Sequence, residues 1–273
     1  MSGSIPPSQG GETGSTPVSR SYHPSIRLYI PVNCMKLTLI AKKEIAKDTK
    51  TFRFTSNTPI YFIPGQTFDY TLSDIKYPDK QGPIRTFSIS NSPTEGDFIE
   101  FTTRMRNESG FKKTLDEKEM GFQIEAKGPS GEFILDENNL EERVFLAGGI
   151  GITPFRSMIK YIFDKNLKIP ITLIYSNTNP ELIAFRKELE EIADQSEFLK
   201  LEMTITHPEE SNEKWTGYTG RIDENFIRKV IKDITKPTFW ISGPPAMVGG
   251  IQILLTNLGV LEDKIKYEKF DGY

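Results

Sequence analysis

From Met35 to Glu137 apolar and polar residues alternate with a period of two in short runs: Lys36–Ala41, Lys50–Thr55, Thr67–Leu72, Ile84–Ser90, Phe98–Arg104 and Phe122–Lys127. Alternation sends successive side chains to opposite faces of an extended chain, so each run predicts a strand with one apolar face. Turn residues separate the runs: Pro64-Gly65, Pro78-Asp79, Gln81-Gly82-Pro83, Ser92-Pro93 and Gly128-Pro129. Short strands at this spacing predict a small antiparallel β-barrel, interrupted by one helical stretch over Gly110–Asp116.

After Arg143 the rhythm changes. Strands are predicted over Arg143–Ala147, Ile171–Tyr175, Leu199–Thr206, Thr238–Ser242 and Ile265–Phe270. Helices are predicted between them, over Thr153–Asp164, Pro180–Ala193, Glu224–Lys232 and Pro245–Leu258. In Pro180–Ala193 the residues Leu182, Phe185, Leu189 and Ile192 recur at helical spacing on one face. Strands alternating with helices predict βαβ units and a parallel sheet. The fold class is therefore two-domain, an antiparallel β-barrel over 35–138 and an α/β parallel-sheet nucleotide-binding domain over 143–273. The charged stretch Glu137–Glu142 lies between them. Residues 1–34 begin with a segment rich in Gly, Ser and Pro that cannot bury enough apolar surface to offset its ordering entropy. They are read as a flexible leader, with Met35 as the natural start.

Composition narrows the chemistry. The chain has 273 residues, of which 37% are hydrophobic, enough for two real cores. Its 34 basic and 37 acidic residues leave a net charge of −3, with no basic excess for nucleic acid. No apolar run is long enough to cross a bilayer, and no secretory signal pattern opens the chain. Cys34 is the single cysteine, which excludes an intramolecular disulfide and a thiolate cluster for zinc or iron–sulfur, and fits a reducing cytoplasm. His23 and His207 have no ligand-spaced neighbours, so no metal is expected. Redox chemistry here requires an organic cofactor.

One constellation points to a dinucleotide. Val144 to Pro154 reads VFLAGGIGITP, a buried strand running through Gly148, Gly149 and Gly151 into a helix start. Glycines admit positive φ and close backbone approach. Thr153 is a suitable N-cap and Pro154 suits a first helical turn. The exposed N–H groups and the dipole then favour a diphosphate. The competing reading is a βα turn whose glycines serve packing alone. Because Pro154 stands where Gly-x-Gly-x-x-Gly ends, the lineage differs from ordinary Rossmann dehydrogenases.

In the barrel, Arg85-Thr86-Phe87-Ser88 lies on a strand. Arg85 offers a planar fork for phosphate, Phe87 a face for a flat ring, and Ser88 a hydroxyl for a ring nitrogen. The competing readings are a surface ion pair for Arg85 and core packing for Phe87. Ser109 to Leu115, including Gly110, Phe111, Lys112 and Thr114, forms a helix start suited to phosphate.

Six ordered segments together resemble the ferredoxin–NADP reductase superfamily. Phe62 to Phe68 is similar to its Pro-Gly-Gln segment. Arg85 to Ser88 resembles its Arg-x-Tyr-Ser motif, with Phe87 replacing Tyr. Gly110 to Thr114 is similar to its Gly-x-x-Ser/Thr segment, with the hydroxyl shifted by one place. Gly128 to Phe133 resembles its barrel-closing loop, and Gly148 to Pro154 its nicotinamide-side motif. Ser242-Gly243-Pro244-Pro245-Ala246-Met247 resembles its Cys-Gly-Pro-x-x-Met motif, with Ser242 in the Cys position.

The resemblance implies FAD in the barrel, NAD(P)H on the second domain, and hydride transfer where the two meet. It implies that Arg85, Thr86 and the segment Gly110, Phe111, Lys112 and Thr114 hold the FAD pyrophosphate. Phe87 then packs on the isoalloxazine and Ser88 lies near N5. Gly148, Gly149, Gly151, Thr153, Pro154 and Ser176 serve the dinucleotide, while Gly243 and Pro244 line the nicotinamide pocket. Ser88, Glu268 and Ser242 bear on catalysis. Phe270 or Tyr273 covers the flavin, unless this tail is only a strand end with solvated charge. Tyr175 to Asn179 holds neither an acid nor an arginine, which tilts the expectation toward NADH or relaxed specificity, with Arg221 as a side chain that can reach in. The expected activity is an NAD(P)H-dependent flavin oxidoreductase passing electrons to a protein acceptor. The alternatives are an electron-transfer subunit of a larger complex and a nucleotide-binding regulatory module.

Overall fold

The computed structural model describes residues 33–105 and 108–270. Tyr273 and almost all of the leader lie outside the described residues.

The first domain holds β1 (Asn33–Ala46), β2 (Thr49–Thr55), β3 (Thr67–Thr71), β4 (Ile84–Ser88), β5 (Ile99–Arg104), α1 (Gly110–Glu117) and β6 (Gln123–Ser130). The strands pair antiparallel in the order β4-β3-β6-β1-β2-β5. The outer strands β4 and β5 meet through an Ile89–Phe101 bridge and a Ser90 N–H to Glu100 O bond of 2.7 Å, so the sheet closes on itself. The predicted alternation is visible on β2. Phe52 and Phe54 are fully buried, and Arg53 between them pairs outward with Glu100 at 2.7 Å. Leu37, Leu39, Phe68, Tyr70 and Phe101 complete the centre of this core.

The second domain holds β7 (Arg143–Gly148), α2 (Ile152–Asp164), β8 (Ile171–Asn177), α3 (Arg186–Gln195), β9 (Leu199–Ile205), β10 (Tyr218–Thr219), α4 (Glu224–Val230), β11 (Thr238–Gly243), α5 (Pro245–Asn257) and β12 (Ile265–Lys269). All pairs are parallel, in the order β10-β9-β8-β7-β11-β12. The chain starts at β7, runs outward to one edge, then returns to the other side of β7. Strand order therefore reverses between β7 and β11, and the crevice beyond their carboxyl ends is where such sheets bind ligands.

Two elements differ from expectation. The helix predicted over Pro180–Ala193 is broken: Pro180–Leu182 forms a single tight turn, Phe185 takes φ 59°, and α3 starts only at Arg186. Ile183 and Ala184 are buried between the two pieces, so the chain dips into the core where a continuous helix would have carried them along its surface. The strand β10 has two residues, too few for periodicity to register.

The domains share an apolar seam. The Phe133 ring tilts against Phe155 at 5.6 Å and Trp240 at 5.0 Å. Gly65, at φ +99°, passes so close that a Cβ would sit 2.1 Å from the Phe133 carbonyl oxygen. Among the described residues no helix is long and apolar enough to cross a membrane.

Candidate functional site

A cleft of about 430 Å3 opens between the barrel and the α/β layer. It gathers many of the residues singled out by sequence: Arg85, Thr86, Phe87 and Ser88 at β4, Lys112 on α1, Thr153 on α2, and Glu268 and Phe270 at the end of the chain. Ser109, at the predicted helix start, lines it too, as do Thr67, Gln81, Ile84, Thr102, Thr103 and Lys269, and sequence reasoning missed these last six. Alternation along β3 and β5, followed to the cleft face, was the available signal for Thr67 and for one of the two β5 threonines.

On the barrel side several expectations change. Phe87 stacks on Phe101 with centroids 4.1 Å apart and planes 5° from parallel, so one face belongs to the barrel core. Only what remains of the ring is turned to the cleft. The Arg85 guanidinium is gripped by its own domain. One terminal nitrogen pairs with the Asp79 carboxylate, and the other donates to the carbonyls of Gln81 (3.2 Å), Gly82 (3.0 Å) and Ile84 (2.7 Å). Asp79 accepts further bonds from the Phe111 N–H at 2.8 Å and the Gln81 N–H at 2.9 Å. Burial alone would raise the Asp79 carboxyl, but these amides and Arg85 outweigh it and hold it below the usual range.

The start of α1 is therefore not a free phosphate cradle. Ser109 caps it, accepting from the Lys112 N–H at 3.3 Å, and Asp79 takes the Phe111 N–H. Gly110 is required by packing, because a Cβ there would lie 2.3 Å from the Tyr77 carbonyl oxygen. Phe111 is buried in the core. Thr114 is also buried, and its hydroxyl accepts from the Lys76 N–H at 3.0 Å. Lys112 Nζ donates to the Arg104 carbonyl at 3.0 Å.

On the α/β side, Gly149–Gly151 forms a tight turn running directly into α2, and Gly151 rather than Thr153 occupies the cap position. Thr153 lies inside the first turn and donates to the Ile150 carbonyl at 3.1 Å, with Pro154 buried beside it. The glycines divide into two kinds. A Cβ on Gly151 would meet the Ser242 carbonyl oxygen at 2.2 Å, and one on Gly148 the Met247 sulfur at 2.0 Å. Gly243, at φ +153°, lies against Gly148 in turn. These residues lock the turn after β7 onto the turn after β11, where Pro244 caps α5. Gly149 has φ +53° and open space around it. Ser176 stands level with Gly148 across the sheet. Ser242 Oγ is buried with no hydrogen-bond partner among the described residues.

Across the cleft the two sides touch at Ser88 and Glu268. Ser88 Oγ donates to Glu268 Oε2 at 3.3 Å. Glu268 is no solvated strand end: it pairs in register with Ser242, and burial pushes its carboxyl up to about 7 despite the Ser88 bond that pulls the other way. Phe270 follows, its N–H bonded to the Gly243 carbonyl at 3.0 Å. Away from the cleft, His207 does have acidic neighbours. Its Nδ1 lies 2.9 Å from Glu209, with Glu210 nearby, and all three are exposed.

Residues 36–134 match the oxidoreductase FAD-binding domain family, and residues 145–252 match the oxidoreductase NAD-binding domain family. The chain belongs to the ferredoxin–NADP reductase superfamily. Among curated relatives, the glycine betaine monooxygenase reductase subunit of Chromohalobacter salexigens is 27% identical over 214 residues, covering 77% of this chain and 57% of that protein. The chain spans about three fifths of the length of several such relatives, from 57% to 60% for the glycine betaine monooxygenase reductase subunits and the Bacillus subtilis flavohemoprotein. The fold of the superfamily is shared with a cytochrome P450 reductase from Amycolatopsis (TM-score 0.76, 20% identity, covering 89% of this chain and 72% of that one). It is shared also with ferredoxin–NADP+ reductase from Plasmodium falciparum (TM-score 0.70, 17% identity, covering 87% and 97%).

Proposed function

We propose that the chain is an NAD(P)H-dependent flavin oxidoreductase that delivers electrons to a protein acceptor. The observation that carries this reading is the Ser88–Glu268 contact, which joins an FAD-binding domain to an NAD-binding domain at the floor of a shared cleft.

The residues present fit both cofactors. Gly149 offers backbone with open space in front of it at the switch point, and the orphaned Ser242 hydroxyl has hydrogen-bonding capacity to give. On the barrel side Arg85, Thr86, the free part of Phe87, Ser88 and Lys112 would hold FAD. Gly149, Thr153, Ser176, Gly243 and Pro244 would hold the nicotinamide dinucleotide, and Phe270 would cover the flavin. Bound together, the cofactors supply hydride transfer and onward delivery of electrons. The chain's own part is to bring the domains together, exclude water and hold a proton on Glu268, whose burial keeps it half-protonated near neutrality. No protein nucleophile is required.

Reductase subunits among the relatives support an oxygenase or another redox protein as acceptor. The lack of an acid or arginine at Tyr175 to Asn179 supports NADH or relaxed specificity. Sparse cysteine supports the cytoplasm. Anaerobic titration tests the core of the reading. Purified protein should carry yellow flavin that NADH bleaches. Flavin bleached only in the presence of a partner protein would make the chain a passive electron-transfer subunit, and colourless protein that takes up no FAD would overturn the assignment.

A further inference from the structure

Arg156 lies in the second turn of α2, three residues beyond the cleft-lining Thr153, and its side chain is 8% exposed. Its guanidinium reaches three separate elements. On the α/β side Nε and Nη2 bond Glu188 of α3, at 3.0 and 2.5 Å. On the barrel side Nη2 bonds Glu95 Oε1 at 2.8 Å, and Nη1 bonds the other Glu95 oxygen and the Ser90 carbonyl at 3.0 Å. The neighbouring Ser157 donates to the Asn91 carbonyl at 2.6 Å. One helix therefore holds two successive carbonyls of the strand extension that begins at Ser88. Two turns further along, Asp164 accepts from Thr94 at 2.5 Å.

The gripped segment is itself stiff. Ser90, Asn91 and Ser92 are fully buried. The Asn91 side chain donates to the Phe98 carbonyl at 2.9 Å and accepts from the Glu100 N–H at 2.7 Å. Glu95 also accepts from the Ser92 N–H at 2.6 Å, so the carboxylate that meets Arg156 is tied to the same strand. Ser88 sits two residues before this grip and Thr153 three residues before Arg156. Both face the cleft. A shift of α2 against the strand would be transmitted directly to the gap between them.

We propose that Arg156 is a positioning residue that sets the separation between the flavin-side strand and the nucleotide-side helix, and with it the rate of hydride transfer. The inference rests on the function proposed above. A stability role alone does not need this geometry: a planar fork satisfying two carboxylates and one carbonyl fixes direction as well as distance. A lysine keeps the charge between Glu95 and Glu188 but cannot hold both carboxylates and the carbonyl in one plane.

The test uses the flavin-loaded protein with Arg156→Lys, and Ser157→Ala as a gentler second variant should the first fold poorly. Three quantities are followed: FAD affinity, anaerobic flavin reduction over a range of NADH concentrations, and amide hydrogen exchange at Ser90 to Ser92. Arg156→Lys should lower the limiting reduction rate by about tenfold or more, since misplacement on the order of an ångström costs up to about a hundredfold. FAD affinity and half-saturating NADH should stay within about twofold, because neither phosphate site is touched. Exchange at Ser90 to Ser92 should quicken. Ser157→Ala should move the same quantities in the same direction, less far. A limiting rate equal to wild type beside faster exchange would overturn the proposal, leaving a purely structural clamp. Parallel loss of FAD affinity and rate would overturn it too. A wild-type protein that NADH and NADPH both fail to reduce would instead refute the functional reading itself.

Discussion

Ser88 and Glu268 come from opposite domains, 180 residues apart in sequence, and their hydroxyl–carboxylate bond of 3.3 Å ties the barrel to the last strand of the α/β sheet. The Glu268 carboxyl is largely withdrawn from water and is met there by the Ser88 hydroxyl. Its proton affinity is consequently a sensitive report on the cleft.

Burial raises the Glu268 carboxyl from 4.5 to about 7. Its contribution to stability is fully present below about pH 4.5, where the group is protonated in folded and unfolded chains alike. It is lost as pH rises from there through about 7, because the unfolded chain ionises over that range while burial holds the proton on the folded one. Flavin reduction by NADH should show one inflection near neutrality that Glu268→Gln removes. A Gln variant that keeps the wild-type profile would place the titrating group elsewhere.

Ser88→Ala should separate binding from chemistry. The variant should retain FAD, slow reduction by about tenfold through lost orientation, and shift the Glu268 inflection upward. The direction follows from the hydroxyl donor, which stabilises the charged carboxylate and therefore lowers its pKa. Stopped-flow rates across pH decide the matter, and an inflection that moves downward would contradict the geometry.

Asp79→Ala removes the acceptor shared by Arg85, the Phe111 N–H and the Gln81 N–H. Breaking a largely buried charged pair typically costs about 3 kcal/mol. The unfolding midpoint in urea should fall accordingly, and FAD should bind more weakly because Arg85 loses its fixed orientation. If FAD instead binds more tightly, Asp79 acts as a competing anion in the phosphate site.

The glycines of the β7 turn should not be interchangeable. Gly151→Ala drives a Cβ into backbone at Ser242 and should destabilise by more than about 2 kcal/mol, since a packed backbone cannot yield. Gly148→Ala meets the flexible Met247 side chain and should cost less. Gly149→Ala has space but a positive φ, costing about 1 kcal/mol. Its larger effect should be a raised half-saturating NADH concentration. Thermal melts paired with NADH titrations would reveal an inverted order.

Much of this architecture was legible in the sequence because period two and period 3.6 are imposed by burial on each element separately. β2 kept Phe52 and Phe54 inward, and α3 kept Leu189 and Ile192 inward. What periodicity could not carry was the break before α3, where Ile183 and Ala184 enter the core between two short pieces. The site was legible at the level of motifs, since Ser88, Thr153, Glu268 and Phe270 do share one cleft. Individual roles were less so. A glycine demanded by packing, such as Gly110, is spelled like one demanded by a ligand. Asp79 looked like ordinary turn punctuation, and nothing local indicates that its carboxylate closes on Arg85 and the start of α1. Arg156 lay in plain sight on a predicted helix, but its partners are more than sixty residues upstream and thirty downstream.

The seam that closes the barrel, at Ile89 and Phe101, continues directly into the stretch held by α2. During synthesis all six barrel strands leave the ribosome before Arg156 does. Until that helix condenses, the carbonyls of Ser90 and Asn91 have only water, and Glu95 has no counter-ion. The earlier half is thus completed by the later one, and the pair should melt as a single cooperative body rather than as two independent modules.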